Sequence, residues 1–205
     1  MSGSRTRAAP ARRSSEPRFA LPHGAVRPAD RGAAGRLRCV AYDHRGQGRS
    51  ERSTERSISM ELLLQDAATL VEHLGVGAVH FVGLSMGGFV GMRLAAGRPD
   101  LVRSLVLLET SAAPEPGENV GRYRAMSLAA RAFGVAPLAD RVMRILFGRS
   151  SLEDPARREE VARWRALALE DDRSVWRAVN GVIDRVAITP ELARAGARDQ
   201  GIVGG

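Results

Sequence analysis

The run Val79-His-Phe-Val-Gly-Leu-Ser-Met-Gly-Gly-Phe-Val-Gly-Met-Arg-Leu-Ala-Ala96 limits what this chain can fold into more than any other. Val79–Gly83 is a short apolar strand, Leu84-Ser85 a turn, and Met86–Ala96 a Gly-rich helix stopped by Gly97 and Pro99. The five residues Gly83-Leu-Ser-Met-Gly87 fit G-x-S-x-G, which alone could be a plain Gly-rich turn with a solvated serine. A strand before it and a helix after it favour a nucleophile elbow. A serine hydroxyl is a weak nucleophile and must protrude to where a base can reach it. A tight strand-to-helix turn achieves this at the cost of strained backbone at Ser85. Gly83 and Gly87 are expected to relieve crowding there. The helix N-terminus presents free N–H groups, so the Met86 amide is a candidate oxyanion donor.

Further elements extend the alternation. Arg38–Tyr42 reads as a strand ending at Asp43. Ile58–Leu74 reads as a helix, with Ile58, Leu62, Leu70 and Leu74 at helical spacing, Ser59 as its cap and Gly75 just past its end. Ser104–Glu109 is the most apolar strand. Strands joined through helices imply right-handed crossovers and a buried parallel sheet. The texture changes at Ala113-Pro-Glu-Pro-Gly117, after which the chain is helical and rich in Arg, Ala and Leu to about Asp184. Asp154-Pro155 starts one helix by the cap-then-Pro rule, Asp172 is a candidate cap for the next, and Trp164 and Trp176 anchor these helices on apolar surface. The fold class is α/β. The divisions are a tail at 1–17, a core at 18–116, a helical layer at 117–186, and the start of a further core segment at 187–205.

All the basic residues are Arg, and nine of them fall in residues 1–38 against Glu16 and Asp30, although the whole chain carries a net charge of only +8. A charge confined to an Ala, Pro, Ser and Gly-rich tail reads as disorder, not as a nucleic-acid-binding face. Neither nucleic acid nor membrane is expected as a partner: the apolar stretch Val79–Ala96 is broken by His80, Arg93 and four glycines. The N-terminus has no apolar signal region; its Arg, Ala and Ser bias also resembles an organelle transit peptide, but a cytoplasmic location is the default. Cys39 is the sole cysteine, so no internal disulfide is possible, and it reads as a small buried strand residue. No cluster has metal-ligand spacing, so neither metal nor cofactor is expected.

The run VHFVGLSMGGFVGMRLAAGRPDLVRSLVLLETS, Val79–Ser111, resembles the central segment of the α/β-hydrolase superfamily, most closely its esterase and 3-oxoadipate enol-lactonase-like branch. RCVAYDHRGQGRS, Arg38–Ser50, is similar to that family's D-x-R-G-x-G-x-S loop. Here Asp43 caps the loop, Gly46 and Gly48 permit its path, and Arg45 pins it. The resemblance covers about residues 36–192 and implies a mostly parallel sheet flanked by helices, with 117–184 as a cap over the pocket. Pro22-His23-Gly24 resembles the family's oxyanion turn, which would make the Ala25 amide the second donor; a casual His-Gly in a tail fits equally well.

In this family the order is Ser, then acid, then His. No histidine follows Ser85; the four present are His23, His44, His73 and His80. His73 lies on a helix surface, His80 inside a strand, His23 at best in an oxyanion turn. His44 follows a strand's C-terminal end, but its loop leaves it little freedom to act as a base. No general base is identified. Glu109 ends the strand after Ser85, where some relatives such as haloalkane dehalogenases keep their acid; a polar residue closing a strand is the favoured reading. The hydrolase fold is therefore expected to be incomplete, from a truncated or frameshifted chain whose Gly201–Gly205 starts a strand. The resemblance implies a serine hydrolase of small carboxylic esters or lactones working through a Ser85 acyl-enzyme, impaired for lack of the histidine. The alternative is an inactive hydrolase fragment or scaffold retaining a binding cleft; a third reading, anionic-surface binding through the Arg-rich tail, is weaker.

Overall fold

The computed structural model describes residues 38–170 and 174–194. Residues 1–17, His23, Ala25, Asp172 and Gly201–Gly205 lie outside them.

Among the described residues, two parallel strands form a sheet: β1, Val79–Leu84, and β2, Val102–Leu108, paired from Val79↔Val102 to Leu84↔Leu108 with one irregularity after Val79. Helix α1 spans Met60–Leu74, and α2 spans Met86–Gly97 and connects the strands. The Ser59 side chain caps α1 by accepting from the Leu62 amide, and Gly75, at φ 62°, ends it. The stripe Met60, Leu63, Ala67 and Val71 is buried, at the four- and three-residue steps that put side chains on one helix face. Helix α2 is buried almost all round from Gly88 to Leu94, because it packs on both strands and on α1. Phe81, Phe89, Val90, Met92 and Leu94 join the α1 stripe in one core. Burying each large aliphatic side chain contributes about 1.5–3 kcal/mol.

Among the described residues, 38–42 pair with neither β1 nor β2, and Cys39 is buried. One expectation is corrected. The sheet is not buried throughout: on β2, Val106 and Leu108 remain 47% and 41% exposed while Leu105 and Leu107 face the core.

Beyond β2 come helices α3, Gly117–Phe133; α4, Ala139–Leu146; α5, Arg149–Glu153; α6, Arg158–Glu170; α7, Val175–Ile183; and α8, Thr189–Arg194. Asp154 and Pro155 open a 3₁₀ turn before α6, with the Asp154 carboxylate accepting from the Ala156 amide. Trp164 meets Phe147 edge-on, and Trp176 lies under the guanidinium groups of Arg131 and Arg177. Helix α3 packs on α7, where Ser127 donates to Asn180. Helix α7 is in turn seated on the loop before α1: the Ile58 amide donates to the Arg177 carbonyl, Ser174 donates to the Gly46 carbonyl, and Arg177 donates to the Glu55 carbonyl. No described helix is long and apolar enough to cross a membrane.

Candidate active site

Ser85 follows the last residue of β1 and precedes the first of α2, with φ 47° and ψ −113°. For a residue with a Cβ this is sparsely allowed backbone, held only where its surroundings over-determine it. They do so here. The Ser85 amide donates to the Leu108 carbonyl at 2.9 Å, carrying the sheet ladder one residue past β1. The Ser85 carbonyl accepts from the Gly88 and Phe89 amides, at 2.9 and 3.1 Å, and from the Thr110 hydroxyl at 3.0 Å. The Ser85 side chain is exposed and makes no capping bond to α2, so its hydroxyl is not consumed by the helix it heads.

Close approach explains the glycines, with one correction. A Cβ on Gly83 would lie 2.4 Å from the Gly87 carbonyl oxygen, so the strand cannot carry a side chain there. Gly87, expected to be needed for the same reason, faces open space. The second crowded position is Gly88, where a Cβ would meet the Thr110 methyl at 2.5 Å. Thr110 thus both packs on the elbow and hydrogen-bonds its carbonyl. Sequence reasoning missed it; its place two residues past β2 was the available signal.

The amides of Met86 and Gly87 begin a helix, where no preceding turn supplies acceptors, and they carry the positive end of the α2 dipole. Met86 also touches the loop at 43–50, whose Gln47 side chain approaches the Met86 sulfur at 4.0 Å. That loop is built as its sequence implies. Asp43 accepts from the Arg49 amide, and Ser50 donates to the Asp43 carbonyl. Gly46 and Gly48 have φ of 74° and 51°. Arg45 forms a two-pronged pair with Asp66 on α1, at 2.8 and 2.5 Å.

Glu109 occupies the same position after β2 that Ser85 occupies after β1, with φ 46° and an exposed side chain. The histidines are placed elsewhere. His73 is exposed on α1, and His80 shares a 2.7 Å hydrogen bond with the Ser104 hydroxyl across the strands. His44 packs edge-on against Tyr42, and its Nδ1 is buried with no hydrogen-bond partner. Burial pushes the His44 pKa down to about 4, against the opposing pull of Asp66 and Asp43, so the ring is neutral at pH 7. Among the described residues no imidazole bonds to the Ser85 hydroxyl. An apolar cavity of about 240 Å³ lies between residues 38–42, α1 and the start of β1; Ser85 is not in its lining.

The chain as a whole is similar to known proteins. The chain matches the alpha/beta hydrolase fold family over residues 20–175. It is 36% identical over 77 residues to "Putative carbamate hydrolase RutD" of Pseudomonas savastanoi pv. phaseolicola, a match covering 38% of this chain and 30% of that protein. Among solved structures it is similar to the enol-lactonase of Burkholderia xenovorans LB400, with a TM-score of 0.72 and 26% identity over 91% of this chain and 72% of that one. A thermophilic esterase from Thermogutta terrifontis superposes with a TM-score of 0.71 and 27% identity, over 78% of this chain and 58% of the esterase. The chain thus spans under a third of that curated relative and little more than half of the esterase.

Proposed function

From the premise that this chain belongs to the alpha/beta hydrolase fold family, we propose that it is built for serine hydrolysis of carboxylic esters or lactones, with Ser85 as nucleophile. One observation carries the reading: an exposed serine with φ 47°, between the end of a parallel strand and the head of a buried helix, whose backbone is fully hydrogen-bonded while its hydroxyl is left out of the helix cap. In this reading the Ser85 oxygen adds to the substrate carbonyl carbon as its proton passes to a base. The Met86 amide receives the developing oxyanion, with the Ala25 amide as the second donor. The alcohol leaves, and water then releases the acid from the acyl-enzyme. In this reading Glu109 is the candidate acid for orienting a base beside Ser85.

The base is the part that the described residues do not supply, because His73 and His80 are engaged or remote and His44 is enclosed beside Tyr42. That observation favours a second reading, a hydrolase-like chain that keeps the elbow and a cleft but turns over slowly or not at all. One experiment separates the two. The protein and Ser85→Ala are treated with a fluorophosphonate probe and with a short-chain p-nitrophenyl ester. Labelling and turnover that vanish in the variant support the hydrolase. Labelling absent from both proteins, with turnover no greater than in the variant, supports the inactive reading.

A further inference from the structure

Arg185 is an anomaly that the proposed chemistry leaves unused. Its side chain is 4% exposed, and its partner Glu115 is 9% exposed. A buried ion pair is weak evidence for stability, since apolar residues of similar size often serve a core as well or better. What the guanidinium does offer is direction: a planar fork that satisfies several acceptors in one geometry.

Those acceptors come from separate parts of the chain. Arg185 Nη1 donates to Glu115 Oε2 at 2.6 Å and to the Val182 carbonyl at 2.9 Å, and Nε donates to the Ala113 carbonyl at 3.1 Å. Ala113 and Glu115 lie on the incoming connection from β2 to α3, while Val182 is the last turn of α7. The central carbon of the guanidinium lies over the Phe89 ring, 4.2 Å from its centroid, in the first turn of α2, and the Phe89 amide donates to the Ser85 carbonyl. The outgoing connection is held by two further bonds. Arg93, buried on α2, donates to the Val186 carbonyl at 2.7 Å, and the Ile188 amide donates to the Ala112 carbonyl at 3.0 Å. The two connections of the segment Gly117–Ile183 therefore run side by side over the nucleophile helix, with one buried cation joining all three.

We propose that Arg185 is a positioning residue: it latches both connections of the helical segment Gly117–Ile183 to the first turn of α2, and so fixes that segment relative to Ser85. The latch stands on contacts alone; its effect on the chemistry rests on Ser85 being the nucleophile.

The test compares the full chain with Arg185→Met/Glu115→Met, which removes the pair without leaving a lone buried charge. Backbone amide exchange is followed at residues 184–188, above all at Ile188, with α1 and β1 as internal references. The rate of Ser85 labelling by a fluorophosphonate is measured in parallel. The expected result is exchange at least tenfold faster at 184–188 with α1 and β1 unchanged, and labelling at least tenfold slower. Wild-type exchange at 184–188 overturns the latch, as does an acceleration shared equally by α1 and β1, which marks a general loss of stability. Faster local exchange with undiminished labelling overturns the link to Ser85. If neither the wild-type chain nor Ser85→Ala is labelled, the hydrolase reading fails, while the exchange data still decide the latch.

Discussion

Ser85 and Glu109 stand side by side at the carboxyl ends of the two parallel strands, each directly after a paired residue and each at left-handed φ, 47° and 46°. They are the two non-glycine residues with positive φ among those described. Both side chains are exposed, so neither conformation is imposed by core packing around the side chain. Strained backbone concentrates where function requires it.

Replacing Ser85 with Gly separates strain from chemistry. The strain is worth about 1–3 kcal/mol, and the extra freedom of Gly in the unfolded chain offsets about 0.5–1 kcal/mol of it. Ser85→Gly is expected to be about 1 kcal/mol more stable than wild type in urea denaturation, while Ser85→Ala shows no such gain. Both lose fluorophosphonate labelling. A Gly variant no more stable than the Ala variant would contradict the strained turn.

Glu109→Gln keeps shape and removes charge. The side chain is exposed, so stability is expected to change by no more than about 0.5 kcal/mol. In the reading that gives Ser85 a base oriented by Glu109, the amide disrupts that base and the labelling rate at Ser85 falls by at least about tenfold. An unchanged rate would remove Glu109 from the machinery and leave it as a polar residue closing a strand.

What could be read from the residues was mostly local. Ser59, Gly75 and the spacing of Ile58, Leu62, Leu70 and Leu74 announce α1 because capping and helical spacing act within a few residues, although the buried stripe is the adjoining Met60, Leu63, Ala67 and Val71. The elbow at Ser85 and the loop at Asp43–Ser50 were legible for the same reason. Long-range contacts were not. Nothing in the sequence says that Asp66 is the partner of Arg45, or that crowding falls on Gly88 and not Gly87. Arg93, in the middle of an apolar helix, was a visible oddity; its acceptors at Glu61 and Val186 lie far along the chain in either direction.

Gly181 is another such contact. A Cβ there would lie 1.8 Å from the Ile58 carbonyl oxygen and 2.7 Å from its carbon, so α7 meets the backbone before α1 with no room for a methyl group. Backbone cannot swing aside as a flexible side chain does. Gly181→Ala is expected to cost about 3 kcal/mol or more, read as a fall in the urea midpoint. An Ala variant within about 0.5 kcal/mol of wild type would show that α7 is not seated on Ile58 as described.

His44 gives the stability a pH dependence of defined sign. The ordinary imidazole pKa is 6.5; in the fold, desolvation lowers it to about 4 although Asp66 and Asp43 pull the other way. Between those values the unfolded chain binds a proton that the folded chain refuses, so acid favours unfolding. The contribution is fully present above pH 6.5 and is lost as pH falls towards 4. His44→Phe keeps an aromatic ring near Tyr42 and cannot titrate. Urea midpoints measured from pH 7.5 to 4.5 are therefore expected to fall more steeply for wild type than for His44→Phe, the carboxylates being common to both. Parallel curves would mean that His44 takes up its proton as readily in the fold as in water, and so reaches solvent or an acceptor.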